Sequence, residues 1–253
     1  MRLIYNITVY IYFIVLSIVF LILSAISLVV FYPFDKRRFI VHKLSKWWTN
    51  QCFLYINPFW EIIFTGKELV DKNKSYIIVS NHQSLIDIGM MYYVPCVFKW
   101  ISKREVLSVP IIGQMLYIHG DIMIKRGKSE SAKKMLNQSK KWLGRGASIA
   151  LFPEGTRTKD GQVHRFKEGA FLLAKQTKTP ILPVVLDGAF TVLPKNEVLL
   201  KTKHRFQLKI LPEISAQEIE STGIRDMMLK VQTLITDEHK KMAPEFYEQD
   251  NSR

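Results

Sequence analysis

The sequence predicts an α/β fold, a layered mixed sheet flanked by helices, behind an N-terminal membrane-embedded helical segment. Two patterns in the 253 residues carry that expectation. The first is a run from Leu3 to Phe34 without a charged residue, longer than the roughly 20 apolar residues that cross a hydrocarbon core. The second runs through the rest of the chain, where short apolar runs bounded by turn formers alternate with helical periodicity. Such alternation marks stacked layers with an at least partly parallel sheet. With 48% hydrophobic and 23% charged residues the composition is that of an ordered globular chain, which excludes wholesale disorder.

Within the first segment, the stretch from Ile7 to Phe31 is almost wholly aliphatic or aromatic. A cleaved leader would carry an apolar region of about 7–15 residues and a small-residue cleavage site, so the segment is expected to be retained. Lys36, Arg37, Arg38, Lys43 and Lys46 follow it against Asp35 alone, and the positive-inside bias then puts the rest of the chain on the cytoplasmic face. Trp47, Trp48, Phe53, Tyr55, Phe59 and Trp60 form an aromatic stretch suited to the membrane interface. It reads as a second helix on or in the same leaflet, which leaves open whether the first helix spans or is embedded in one face. Residues 1–60 are thus read as the membrane anchor and 61–253 as the α/β domain.

Strands are expected at 75–80, 97–101, 121–125, 147–152, 181–186 and 205–210, each a short apolar run between turn signals. The clearest helix begins near Ser129, with Ala132, Met135, Leu136, Ser139 and Leu143 on one face, and stops at Gly144 or Gly146. A last helix runs from 224 to about 247. Lys and Arg number 36 against 22 Asp and Glu, a formal charge of +14, which favours an anionic partner. Fourteen of these cations fall between Lys125 and Lys178 against four acidic residues, a stretch suited to anionic lipid or to an acidic acyl donor. Cys52 and Cys96 are the only cysteines, too few for a disulfide scaffold or an all-cysteine metal site. His42, His119, His164, His204 and His239 lack metal-ligand spacing, and Gly144-Arg145-Gly146 lacks the third glycine of a dinucleotide fingerprint.

Two motifs follow strand ends, where open α/β sheets place their ligands. In Asn81-His82-Gln83-Ser84-Leu85-Ile86-Asp87 the His and Asp are five residues apart, a turn of about 140° on a helix. They meet if His82 precedes the helix and Asp87 lies in its second turn. A carboxylate would then fix the imidazole tautomer and leave the other nitrogen to accept a proton, as a general base requires. Ser84-x-x-Asp87 is equally a capping-box pattern at a helix start, so both readings stand on this motif alone. The second motif, Phe152-Pro153-Glu154-Gly155-Thr156-Arg157, offers a Pro-Gly turn with an acceptor, a hydroxyl and a forked cation suited to phosphate.

Taken together, these motifs resemble those of the glycerolipid acyltransferases, most closely the 1-acyl-sn-glycerol-3-phosphate acyltransferases, over about Ser75 to Leu186. The first motif is similar to that family's His-x4-Asp block, and the hexapeptide to its third block. Gly120-Asp-Ile-Met-Ile-Lys-Arg126 resembles the second block, with Met123 where Phe is usual, and Pro180-Ile-Leu-Pro183 resembles the fourth. The resemblance implies that His82 is the catalytic base, oriented by Asp87, and that Ser84 serves as a helix cap rather than a nucleophile. It implies acceptor binding by Glu154, Gly155, Thr156 and Arg157, and phosphate binding by Arg126 and Lys103. Pro180 and Pro183 either shape the acyl channel or are strand-edge prolines. The implied co-substrate is a thioester of coenzyme A or acyl carrier protein, and the implied acceptor is lysophosphatidic acid. No metal, bound cofactor or nucleic-acid partner is expected. Another lyso-lipid or glycerol 3-phosphate is the alternative acceptor, and a non-catalytic basic membrane-anchored binding protein is the rival class.

Overall fold

The computed structural model describes residues 2–52, 59–125, 129–192 and 204–248. In chain order the principal elements are α1 (Arg2–Phe31), α2 (Phe39–Asn50), β1 (Trp60–Thr65), β2 (Ile77–Ser80), α3 (Ile86–Met90), β3 (Phe98–Lys103), α4 (Ile112–His119) and β4 (Ile122–Ile124). They continue through α5 (Ser129–Leu143), β5 (Ser148–Leu151), α6 (Gly169–Thr177), β6 (Ile181–Asp187), α7 (Ala189–Val192), β7 (His204–Ile210), α8 (Ala216–Ser221) and α9 (Ile224–Met242). The elements gather into two compact units that interleave along the chain. One comprises Met1–Pro58 with Cys96–Ala150, the other Phe59–Pro95 with Leu151–Arg253.

In the first unit, α1 is long and apolar enough to cross a membrane over Ile7–Phe31. Its apolar surface is largely uncovered, with Ile11 58%, Ile22 53% and Val29 78% exposed, a pattern that suits a membrane helix better than a core helix. The covered stripe is Val9, Leu16 and Phe20. Trp48 of α2 packs there with ring centroids 5.5 Å from Phe13 and 5.8 Å from Phe20. Its indole N–H donates to the Ser17 hydroxyl at 3.2 Å. The aromatic stretch expected to continue this second helix to Trp60 divides instead. The helix covers Phe39–Asn50, residues 53–58 lie outside the described residues, and Trp60 opens β1 in the other unit. An aromatic run has no period that separates helix from strand, and β1 is only partly buried, so no alternation marks it.

β3 of the first unit lies between β5 and β4, parallel to both, with Phe98 opposite Ser148 and Ile101 opposite Ile122. A buried polar chain ties α2 and α4 to these strands. The Lys99 ammonium is fully buried and donates to the His119 carbonyl at 2.7 Å. The His119 Nδ1 N–H faces Asp121 Oδ1 at 2.7 Å, and His42 Nδ1 lies 3.3 Å from His119 Nε2. Burial disfavours the charged form of all three bases: Lys99 is lowered to about 7, and both histidines fall below their ordinary range. Burial likewise raises the thiols of Cys52 and Cys96 to about 12, so neither is a thiolate nucleophile at neutral pH.

The second unit is built on β1, β7, β6 and β2. β1 runs parallel to β7 with Trp60 opposite His204, β6 is antiparallel to β7, and β2 is parallel to β6 with Ile77 opposite Ile181. One antiparallel pair makes the sheet mixed, as expected. Pro183 is not on a sheet edge. It sits within β6 opposite Val79, where pairing with β7 has just ended, and its carbonyl accepts from Leu211. The missing N–H therefore falls at a gap in the ladder. α9 presents Met227, Met228, Val231, Ile235 and His239 to the interior at three- and four-residue spacing.

Candidate active site

Within the second unit, β2 ends at Ser80 and the next residue fixes where the chain goes. Asn81 Nδ2 donates to the Leu186 carbonyl at 2.8 Å and its Oδ1 accepts from Leu186 N–H at 2.9 Å, which clamps the loop to β6. The helix that follows starts only at Ile86, so Asp87 lies in its first turn rather than the second. His82, Gln83 and Ser84 wrap around the carboxylate. Asp87 Oδ2 accepts from Gln83 N–H at 2.6 Å and Ser84 N–H at 2.8 Å, and it lies 2.9 Å from His82 Nδ1. One oxygen thus does two things: it takes the amides of the loop ahead of α3 and holds the imidazole, while the start of α3 at Leu85 has no side-chain cap. Ser84 itself is fully buried.

A carboxylate accepts and does not donate, so His82 Nδ1 carries the proton in that hydrogen bond and Nε2 presents a lone pair. Among the described residues Nε2 has no hydrogen-bond partner. Its ring is fixed further by Phe152, which stacks on it with centroids 3.9 Å apart and planes 4° apart. A base held by a carboxylate on one nitrogen and a ring on one face loses little orientational freedom on reaction.

The hexapeptide supplies that ring and a second brace. Glu154 is 5% exposed, and its two oxygens accept from the backbone N–H groups of His82 at 2.8 Å and His164 at 3.2 Å. Burial pushes the Glu154 carboxyl up to about 8, with the two N–H groups pulling it back and the charges of Asp87 and Asp160 adding to the rise. The loop is tied down again where Thr158 N–H donates to the His82 carbonyl at 2.9 Å and Lys167 N–H to the Pro153 carbonyl at 2.9 Å. Gly155 adopts φ +74, the left-handed region where a side chain is strained, and its N–H closes the turn onto Phe152. Thr156 is exposed and Arg157 half-buried. The expected site residues of both motifs thus converge on one loop pair.

Lys103 is the exposed last residue of β3, in the first unit. Arg126 lies outside the described residues. Sequence reasoning gave Phe152 no role, although its place as the first residue after β5 was a usable signal. It also passed over Gln83, whose amide nitrogen lies 3.0 Å from His239 Nε2 of α9 and 3.3 Å from the Gly161 carbonyl. A second, exposed His–Asp pair, His164 with Asp160 at 2.9 Å, went unnoticed despite its i,i+4 spacing.

A family model described as acyltransferase matches residues 61–187, half of the chain and the whole of the two loops just described. The chain belongs to the acyltransferase family. Among curated relatives, a 1-acyl-sn-glycerol-3-phosphate acyltransferase of Saccharomyces cerevisiae is 30% identical over 208 residues, covering 79% of this chain and 68% of the yeast protein. One of Chlamydomonas reinhardtii is 34% identical over 166 residues, 65% of this chain and 49% of the algal protein. A chloroplastic one of Arabidopsis thaliana is 36% identical over 159 residues, 62% of this chain and 44% of the plant protein. The chain spans about half the length of these two photosynthetic relatives. A crystal structure of the 1-acyl-sn-glycerophosphate acyltransferase of Thermotoga maritima shares the fold, with a TM-score of 0.78 and 23% identity over 96% of this chain and 98% of that one. This acyltransferase therefore carries its His-x4-Asp loop and its Pro-Glu-Gly turn on the architecture expected from the sequence.

Proposed function

We propose that the chain transfers a fatty acyl group from an acyl thioester, of coenzyme A or acyl carrier protein, to the sn-2 hydroxyl of 1-acyl-glycerol 3-phosphate, giving phosphatidic acid. The observation that carries this reading is the His82 imidazole, held through Nδ1 by Asp87 with Nε2 left as acceptor. The names of the relatives support the choice of acceptor.

As the acceptor oxygen attacks the thioester carbonyl, His82 Nε2 takes the hydroxyl proton, and the Asp87 carboxylate stabilises the imidazolium. The tetrahedral intermediate collapses by breaking the carbon–sulfur bond. The departing thiolate takes the proton back from Nε2, which regenerates the neutral base. A thiolate leaves readily, so no acyl-enzyme is required. Glu154 and Phe152 position the base, while the Arg157 guanidinium takes the acceptor phosphate, a contact worth roughly 1.5–3 kcal/mol. Lys103 and Arg126 have the same role by resemblance alone. The domain works on the cytoplasmic face, with α1 holding it where the acceptor lipid resides.

The test is mass-spectrometric product analysis of detergent-purified chain given lysophosphatidic acid, other lysophospholipids and glycerol 3-phosphate with mixed acyl thioesters. Phosphatidic acid as the dominant product supports the proposal. Acylation of another acceptor in preference to lysophosphatidic acid overturns the assignment of acceptor, and no acylation of any acceptor overturns the reaction.

A further inference from the structure

The four residues that follow α1 and its short turn do different things. Asp35 is fully engaged, since its two oxygens accept the first amides of α2, from Phe39 at 2.7 Å and Ile40 at 2.8 Å. Arg38 folds inward and its Nη1 donates to the carbonyls of Tyr117 at 2.9 Å and Ile118 at 2.7 Å, so its cation is spent on α4. Lys36 and Arg37 are exposed. A third cation joins them from far along the chain. Arg145, in the Gly144–Gly146 turn after α5, donates from Nη1 to the Lys36 carbonyl at 3.1 Å.

Together they line a cleft of about 500 Å³ whose remaining walls are Phe31, Phe34, Phe39, Ile40 and Asp35, the last with its carboxylate turned onto the first amides of α2. Arg37 lies over the Phe39 ring at 5.0 Å and Arg145 over the Trp142 ring at 5.1 Å, so both guanidinium planes are held rather than waving. Among the described residues none of the three cations has a carboxylate within ion-pair distance. The cleft opens at the end of the apolar helix stretch Ile7–Phe31, and the end of such a stretch is where a bilayer's hydrocarbon gives way to headgroups. Phe34 is 85% exposed there, a ring suited to lie among acyl chains. A nucleotide would find no such apolar wall continuous with a membrane helix, whereas a phospholipid matches both halves of the cleft.

We propose that Lys36, Arg37 and Arg145 form a selective site for the phosphate of an anionic membrane phospholipid, separate from the residues that carry the chemistry. The lipid's acyl chains run along the uncovered face of α1 and its phosphate sits among the three cations. This site does not depend on the acyl-transfer reading, and its loss leaves the catalytic loops intact.

The experiment reconstitutes the full chain in phosphatidylcholine bilayers and measures the association of spin-labelled phosphatidylglycerol relative to spin-labelled phosphatidylcholine. A cation close to an anionic headgroup is worth roughly fivefold in association, so the triple variant K36Q/R37Q/R145Q is expected to lower the preference on the order of 10-fold or more. The charge-matched control K133Q/K134Q/K140Q, on the exposed face of α5, is expected to keep it. Preference unchanged in the cleft variant, or an equal loss in both variants, overturns the site. Excess inorganic phosphate is expected to leave the preference in place; displacement by it would mark a free-phosphate site and overturn the lipid assignment.

Discussion

Replacing Asp87 with Asn tests the arrangement of the active-site loop at its most heavily used atom. Oδ2 takes hydrogen bonds from His82 Nδ1, Gln83 N and Ser84 N at 2.9, 2.6 and 2.8 Å, and the side chain is fully buried. The amide keeps the shape and offers one acceptor oxygen, but it lacks the charge. Hydrogen bonds to a charged group contribute about 1.5–3 kcal/mol and neutral ones about 0.5–1.5. Three such bonds together then lose about 3–4 kcal/mol. For a chain of this size that is on the order of 10 °C in Tm. The imidazole loses its orienting anion as well, so kcat for acyl transfer should fall roughly 10²–10⁴-fold. Acceptor KM should change little, since no phosphate-binding group has moved. Steady-state kinetics beside a thermal melt read both quantities. If Asp87→Asn turns over at the wild-type kcat, the carboxylate is a brace for the loop ahead of α3 and nothing more.

Other substitutions probe the braces. Glu154 is a carboxyl raised to about 8, above its unfolded value, so its contribution to stability is fully present at acid pH and is lost as pH rises toward 8. Denaturant titrations should show up to about 1.4 kcal/mol per pH unit from this group between pH 5 and 8, absent in Glu154→Gln. Equal slopes in the two proteins would refute the shift. Lys99, lowered to about 7, has the opposite sign, so its burial penalty is relieved as pH climbs from 7 toward 10. In Lys99→Met that alkaline gain should vanish, and a persisting gain would show that another group carries it.

What the sequence made legible was local. His82 and Asp87 are five residues apart and meet through one loop; Pro153 to Arg157 is one turn. Both could be read because the chemistry is written in neighbouring residues. The braces between them were hidden because Glu154 reaches His82 N–H across 72 residues, and Phe152 stacks on the same imidazole across 70. Nothing in a hexapeptide says that its glutamate faces inward to two backbone amides rather than outward to a ligand. The sheet was read strand by strand from 75 to 210, apart from shifts of one or two residues at the ends. β1 escaped because Trp60 continued an aromatic run and only its packing on Phe206, with centroids 5.2 Å apart, reveals its side. Of the two readings open for Pro183, the strand-edge one fails for a similar reason: a missing N–H is tolerated wherever the ladder has a gap, and gaps are tertiary facts.

The same contrast applies to charge. The run of basic residues from Lys125 to Lys178 was visible by counting, yet the cations that share one cleft, Lys36, Arg37 and Arg145, come from two distant turns. Lys99, lost among many lysines in the sequence, is the one wholly withdrawn from water among the described residues of its unit.

The most direct test is acyl transfer by His82→Ala in the full chain, followed by mass spectrometry of the lipid product under single-enzyme excess. With its melting transition and its association with vesicles retained, the variant should give no phosphatidic acid above the rate without protein. Product at a rate near wild type, from a folded and membrane-bound variant, would place the proton acceptor elsewhere and contradict the mechanism.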